Sequence, residues 1–152
     1  MVSGAGFSLR VPSAFQARSA QDFPQAAVVL ERPSGSPSLP ARVSVLREVH
    51  PKNDVVEQAY AAEVTMRTTK GVTDVLRSDL TWPGTERAVL LQWTQEVPST
   101  DGSDDGPTDA RFWQLNTQVT DDLIITVVAV APVADFDSTG VGDVLRTFTP
   151  KS

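Results

Sequence analysis

Apolar and polar residues alternate along most of this chain, and two stretches break the alternation with a helical period. In GFSLRVP, Phe7, Leu9 and Val11 point one way and Ser8 and Arg10 the other, a half-buried strand stopped by Pro12. AAVVLERP, from Ala26 to Pro33, reads as a second strand, and RPSGSPSLP, with three prolines and three serines, as a loop. ARVSVLREV alternates again, Val43 and Val45 opposing Arg42 and Ser44. The period then lengthens: Val55, Ala59, Ala62 and Met66 recur at i, i+4, i+7 and i+11, with Val56, Tyr60 and Val64 in a neighbouring row. Together these rows predict one broad apolar stripe on a helix. Asp54 is placed to cap it with Glu57 three residues on, and Lys70-Gly71 to end it.

Four strands are predicted to follow. VTDVLRSDLTWPG is the first. RAVLLQWTQEV puts Val89, Leu91 and Trp93 on one face, and Leu90, Gln92 and Thr94 on the other. ARFWQLNTQVT puts Trp113, Leu115 and Val119 on one face, and Phe112, Gln114, Asn116 and Gln118 on the other. A tight turn at TDDL leads into IITVVAVAP, apolar on both faces and so expected at the centre of the sheet. A last helix starts near Asp137 or Ser138, carries Val141, Val144, Leu145 and Phe148 at i, i+3, i+4 and i+7, and stops before Pro150. The order β-β-β-α-β-β-β-β-α predicts an α+β fold, an antiparallel sheet of six to seven strands flanked by helices, in a single domain over 1–152. Its expected core includes Leu9, Val11, Val45, Tyr60, Met66, Val89, Leu91, Trp93, Trp113, Leu115, Ile125, Val127, Leu145 and Phe148.

Composition narrows the function classes. The formal net charge of −6 disfavours a nucleic-acid partner and an anionic membrane surface, and no Lys/Arg run offsets it. The absence of cysteine excludes disulfides, thiolate zinc sites and a Cys nucleophile. The opening MVSGAGFSLRVP does not read as a signal peptide, and no window approaches the roughly 18 apolar residues of a membrane span.

The punctuation of this pattern carries a family likeness. FSLRVPSAF is an opening strand ending in proline with an aromatic soon after (Phe7, Leu9, Pro12, Phe15). VSVLRE precedes a helix with Tyr60 in its second turn. The ending runs RFWQLNTQV, DDLIITVVAVAP, DF, then VLRTFTP, closing on Leu145, Phe148 and Pro150. In these features the chain resembles the PsbP-like superfamily, which includes the photosystem protein PsbP and the import factor Mog. It is most similar to small bacterial members of the DcrB-like, EagR-type chaperone and actinobacterial LpqN-type lipoprotein kinds. The resemblance implies a PsbP-like α/β/α sandwich and a non-enzymatic accessory role as adaptor or chaperone. EagR-type proteins cradle hydrophobic segments of secreted effectors on a sheet surface. The lipoprotein members carry an export signal and a lipid-attachment Cys that this sequence lacks. The expected location is therefore cytoplasmic, an exported lipoprotein-like form applying only to a chain trimmed at its start.

Candidate chemistry is sparse. His50 is the only histidine, which excludes metal sites built on several histidines, and no G-x-S-x-G elbow supplies a nucleophile. In DGSDDGPTDARF, Asp101, Ser103, Asp105 and Gly106 match the start of a calcium loop, but Phe112 stands where the bidentate Glu belongs. The loop 101–109 reads as a solvated hairpin loop, and Gly140-Val141-Gly142 lacks the rest of a phosphate fingerprint. Trp93 and Trp113 read as core, and Trp82 as a turn residue. No catalytic residue, metal ligand or cofactor is assigned. The remaining candidate is a face mixing amides, hydroxyls and large apolar groups: Leu90, Gln92, Thr94, Phe112, Gln114, Asn116 and Thr126, joined by Gln118, Ile124 and Val128. Such a mixture suits contact with another polypeptide, a client or a second copy of the chain. The alternative is a small-molecule or metal-binding module using the acidic loop and Trp82.

Overall fold

The computed structural model describes residues 1–4, 6–19, 26–36, 39–98 and 107–151. In chain order the elements are β1 (Val2–Gly4), β2 (Phe7–Leu9), β3 (Gln16–Ala17), β4 (Ala26–Arg32), β5 (Ala41–Val49), α1 (Val55–Thr68), β6 (Val72–Leu80), β7 (Arg87–Val97), β8 (Thr108–Thr120) and β9 (Leu123–Pro132). A 3₁₀ turn at Val133–Asp135, α2 (Phe136–Thr139), α3 (Val141–Arg146) and β10 (Thr149–Pro150) complete the chain. The main sheet has seven strands in the order β3-β4-β5-β9-β8-β7-β6, and a small sheet has the order β1-β2-β10. Every pairing is antiparallel. The doubly apolar strand β9 is central, with three strands on either side.

The molecule is mostly β, and not clearly an α/β/α sandwich. Helix α1 packs on β6, β7 and β8. On the opposite face, two short helices share the cover with the small sheet. The predicted opening strand is β2 of that small sheet, and the main sheet takes its seventh strand from the two-residue β3. β2 lies between β1 and β10; Ser8 is buried instead of facing solvent, and Val11 falls beyond the strand, half-buried.

The larger core lies on this side. Alanines Ala41, Ala88, Ala129 and Ala131 leave room that Phe7, Phe15, Phe136 and Phe148 fill, together with Val141, Val144 and Leu145. The closing helix is broken in two: Gly140 sits at φ 77, a left-handed conformation that only glycine adopts cheaply, so α2 ends and α3 begins there. Gly142 must also stay small, since a Cβ there would lie 2.9 Å from the Trp113 ring.

Helix α1 begins as expected, with Asp54 Oδ1 accepting from the Glu57 N–H at 2.9 Å. Only one of its two predicted apolar rows is buried. Val55 and Ala59 are enclosed and Ala62 and Met66 pack beside them, but Val56, Tyr60 and Val64 face outward. Tyr60, expected in the core, is 59% exposed. A single helix lying on a three-strand-wide patch can bury only the stripe that faces the sheet.

Candidate functional site

Residues paired across antiparallel strands put their side chains on the same face. Val89 pairs with Asn116, Leu91 with Gln114 and Trp93 with Phe112; Asn116 in turn pairs with Thr126 and Gln114 with Val128. Phe112, Gln114, Asn116, Gln118 and Thr126 therefore share the α1 face with Val89, Leu91 and Trp93. Leu90, Gln92 and Thr94 lie on the other face with Trp113 and Leu115. The seven residues predicted to form one partner-binding face are thus divided between two. Alternation sorts each strand correctly, but the register joins odd positions of β7 to even positions of β8, and alternation carries no information on that join.

Beneath α1 the amides have internal work. Asn116, only 5% exposed, donates from Nδ2 to the Val89 carbonyl at 3.2 Å, and its Oδ1 accepts from Gln114 Nε2 at 2.9 Å. Gln118, also 5% exposed, accepts on Oε1 from the N–H of Val55, the first residue of α1, at 2.9 Å, and donates from Nε2 to the Thr120 carbonyl at 2.6 Å. Gln118 thus ties the helix start to the sheet and satisfies a donor that the helix itself leaves unpaired. Phe112 stacks on Trp93, ring centroids 5.0 Å apart and planes within 4°. Thr117, on the far face, donates to the Ile125 carbonyl at 2.7 Å.

What α1 leaves uncovered is the other half of its face, over β9, β5 and β4. Continuing the register, Thr126 pairs with Leu46 and Val128 with Ser44. These four, with Phe112 and Gln114, are neither fully buried nor fully exposed. One border of this floor is an ion-pair cluster: Glu31 meets Arg18 Nε at 2.9 Å, and Arg42 through Nη2 at 2.7 Å and Nε at 3.0 Å. The other border is α1, where Gln58 Nε2 donates to Glu48 at 3.2 Å and to the Asn53 carbonyl at 3.0 Å. Leu46, Ser44 and the Arg18–Glu31–Arg42 border belong to a site that strand alternation alone did not assemble; the signal available was that IITVVAVAP is apolar on both faces and must pair on both sides.

The remaining candidates are dispersed. His50 has φ 54 and lies exposed at the end of β5, its Nδ1 3.3 Å from Asp122 and its N–H donating to the Asp122 carbonyl at 2.8 Å, so it pins the β8–β9 turn to β5. Of the acidic loop, Asp101 to Gly106 lie outside the described residues, while Thr108 and Asp109 already belong to β8. Among the described residues no group of three or more His, Cys, Asp and Glu side chains converges to hold a metal ion, and no helix is long and apolar enough to cross a membrane. Trp113 is wedged between Phe136, centroids 5.0 Å apart, and the Arg146 guanidinium, 4.8 Å from its ring. Trp82 donates from Nε1 to the Phe148 carbonyl at 3.0 Å and forms a wall of a surface cleft.

No family model matches the chain, and no curated protein matches it. Among solved structures, the chain is similar to a crystal structure of the protein of unknown function PA94 from Pseudomonas aeruginosa. The two share a TM-score of 0.58 and 15% identity over 97% of this chain and 99% of that one, a likeness of fold alone.

Proposed function

We propose that this chain is a non-enzymatic accessory protein of the PsbP-like kind, an adaptor or chaperone that binds a segment of a partner protein. The observation that carries the reading is the half-covered sheet face: a floor of Ser44, Leu46, Phe112, Gln114, Thr126 and Val128 with a charged border on one side and α1 on the other. Apolar groups there offer area, and the amide and hydroxyls offer hydrogen bonds that set register without burying a charge. The resemblance to EagR-type chaperones supports the same use of a sheet surface. Asn116, Gln118 and the Leu90–Gln92–Thr94 row are outside this site, the first two because the fold uses them and the row because it lies on the opposite face.

The test pairs Ser44→Glu with Thr126→Arg, both on the open floor, so folding should survive, as a thermal melt will check. Tagged wild-type chain and the double variant are used to capture proteins from the source cell, followed by mass spectrometry and by reconstitution with the purified partner. The reading expects a stoichiometric protein partner that the double variant loses. A partner retained in full by the folded variant, or wild-type chain that captures no protein and binds only a second copy of itself, would overturn it.

A further inference from the structure

On the side of the molecule away from the proposed partner face lies a cleft of about 490 Å³ lined by Arg10, Thr81, Trp82, Arg146, Thr147 and Thr149 with their neighbours Pro83 and Phe148. Two arginines line this cleft in a chain whose net charge is −6, and no acidic residue lines it. Arg10 has no acidic partner among the described residues. Arg146 has only a loose one: Asp143 Oδ1 is 3.5 Å away, and both side chains are mostly in solvent. A locally positive cleft on an acidic protein concentrates anions where the rest of the surface repels them.

The walls are held in place. The Thr147 hydroxyl accepts from the Arg10 N–H at 2.8 Å and lies 2.7 Å from the Val144 carbonyl, so the end of β2 is clasped to the end of α3. That clasp fixes two arginines far apart in sequence beside one another. Arg146 is further steadied over the Trp113 ring. Trp82 is fixed from two directions: its indole N–H is taken by the Phe148 carbonyl, and its own carbonyl accepts from the Thr85 N–H at 3.1 Å and the Thr85 hydroxyl at 2.8 Å. The turn behind it needs Gly84, at φ 81, where a Cβ would meet the Pro150 ring at 2.7 Å. With its N–H already paired, Trp82 presents ring surface to the cleft, not a donor.

We infer that this cleft is a binding site for a small organic anion with a flat aromatic body, its phosphate or carboxylate held by Arg10 and Arg146 and its ring laid against Trp82. Guanidinium groups recognise both anions through charge-assisted hydrogen bonds, and the Thr81 hydroxyl adds a neutral donor at the rim, those of Thr147 and Thr149 being spent on backbone carbonyls. The site shares no residue with the partner face, so it stands or falls separately from the function proposed above.

The experiment follows the indole N–H resonances of the purified chain by NMR, Trp82 being assigned from the signal lost in Trp82→Phe. Phenyl phosphate, benzoate, inorganic phosphate and phenol are titrated in turn. Phenyl phosphate or benzoate, whichever carries the preferred head group, should shift the Trp82 signal saturably, and phenol should not. Arg10→Gln and Arg146→Gln should each weaken that binding about tenfold, the loss expected for one hydrogen bond to a charged group. Arg10 makes its structural contacts through the backbone, so Arg10→Gln remains decisive even if the change at Arg146 disturbs the packing over Trp113. No saturable shift with either aryl anion, an equal shift with phenol, or unchanged affinity in Arg10→Gln would overturn the assignment. A response to inorganic phosphate as strong as to phenyl phosphate would remove the aromatic part of it.

Discussion

The two faces of the main sheet are covered by different physics. On one, the small sheet with α2 and α3 closes a continuous apolar core in which four phenylalanines fill the space over alanines. On the other, Ala59 of α1 packs on Val89, Leu91 and Trp93 in a cluster of four buried residues, and the helix is moored to the sheet by polar ties from Val55 to Gln118 and from Gln58 to Glu48. Apolar burial grows with area and is non-directional, whereas a hydrogen bond contributes little net but costs much when one partner is removed. The first face should therefore resist through volume, and the second through a few named atoms.

The largest effect belongs to the first face. Phe148 is 3% exposed and packs against Phe7 and Trp82, with centroids 6.4 and 6.5 Å away. Phe148→Ala should destabilise the fold by about 3–5 kcal/mol in a urea titration, the usual cost of emptying such a site. A loss below about 1 kcal/mol would mean that this core collapses around the gap and that the contrast between the faces is wrong.

An intermediate effect belongs to the second face. Gln118→Ala leaves the Val55 N–H buried without its acceptor, which should cost about 1–3 kcal/mol. The loss should also be local. Amides of α1 should exchange with solvent through an opening that leaves the amides of β9 protected, because α1 has less apolar contact to lose. If Gln118→Ala accelerates α1 and β9 exchange equally, the helix is part of the same cooperative unit as the sheet, and the two faces do not differ as described.

The same contrast explains what could be read from the sequence. Features set by local chemistry were legible: the Asp54 cap, the TDDL turn, the central position of IITVVAVAP, and the buried row Val141, Val144, Leu145 and Phe148. Features set by how separate pieces meet were not. The register of β7 against β8 sends Asn116 and Gln118 beneath α1 and puts Gln114 on the same face beside it, although their strand pattern alone reads as an outward polar face. The clasp at Thr147 joins two segments 137 residues apart, a distance over which no periodicity operates. The two-residue strands β3 and β10 are too short to alternate at all. The break at Gly140 was missed although its signal is local: the sequence reads one closing helix across a glycine that ends α2 and starts α3.

The smallest expected effect tests the outward row of α1. Val56, Tyr60 and Val64 recur at i, i+4 and i+8, also a helical spacing, and the sequence reads both rows as one stripe. In the structure this second row meets no sheet, because α1 lies on β6, β7 and β8 with only its Val55–Ala59–Met66 side against them. The Tyr60 ring has little to lose on truncation, and serine and tyrosine have about the same helix propensity. Tyr60→Ser should therefore change the unfolding free energy by no more than about 0.5 kcal/mol, the usual range for a surface substitution. The outcome separates two accounts of α1. If the change is this small, the helix is held by one apolar stripe and its polar ties, as its face requires. If Tyr60→Ser costs as much as Gln118→Ala, the outward row is packed against something in solution, and α1 belongs with the apolar face in the way it is held.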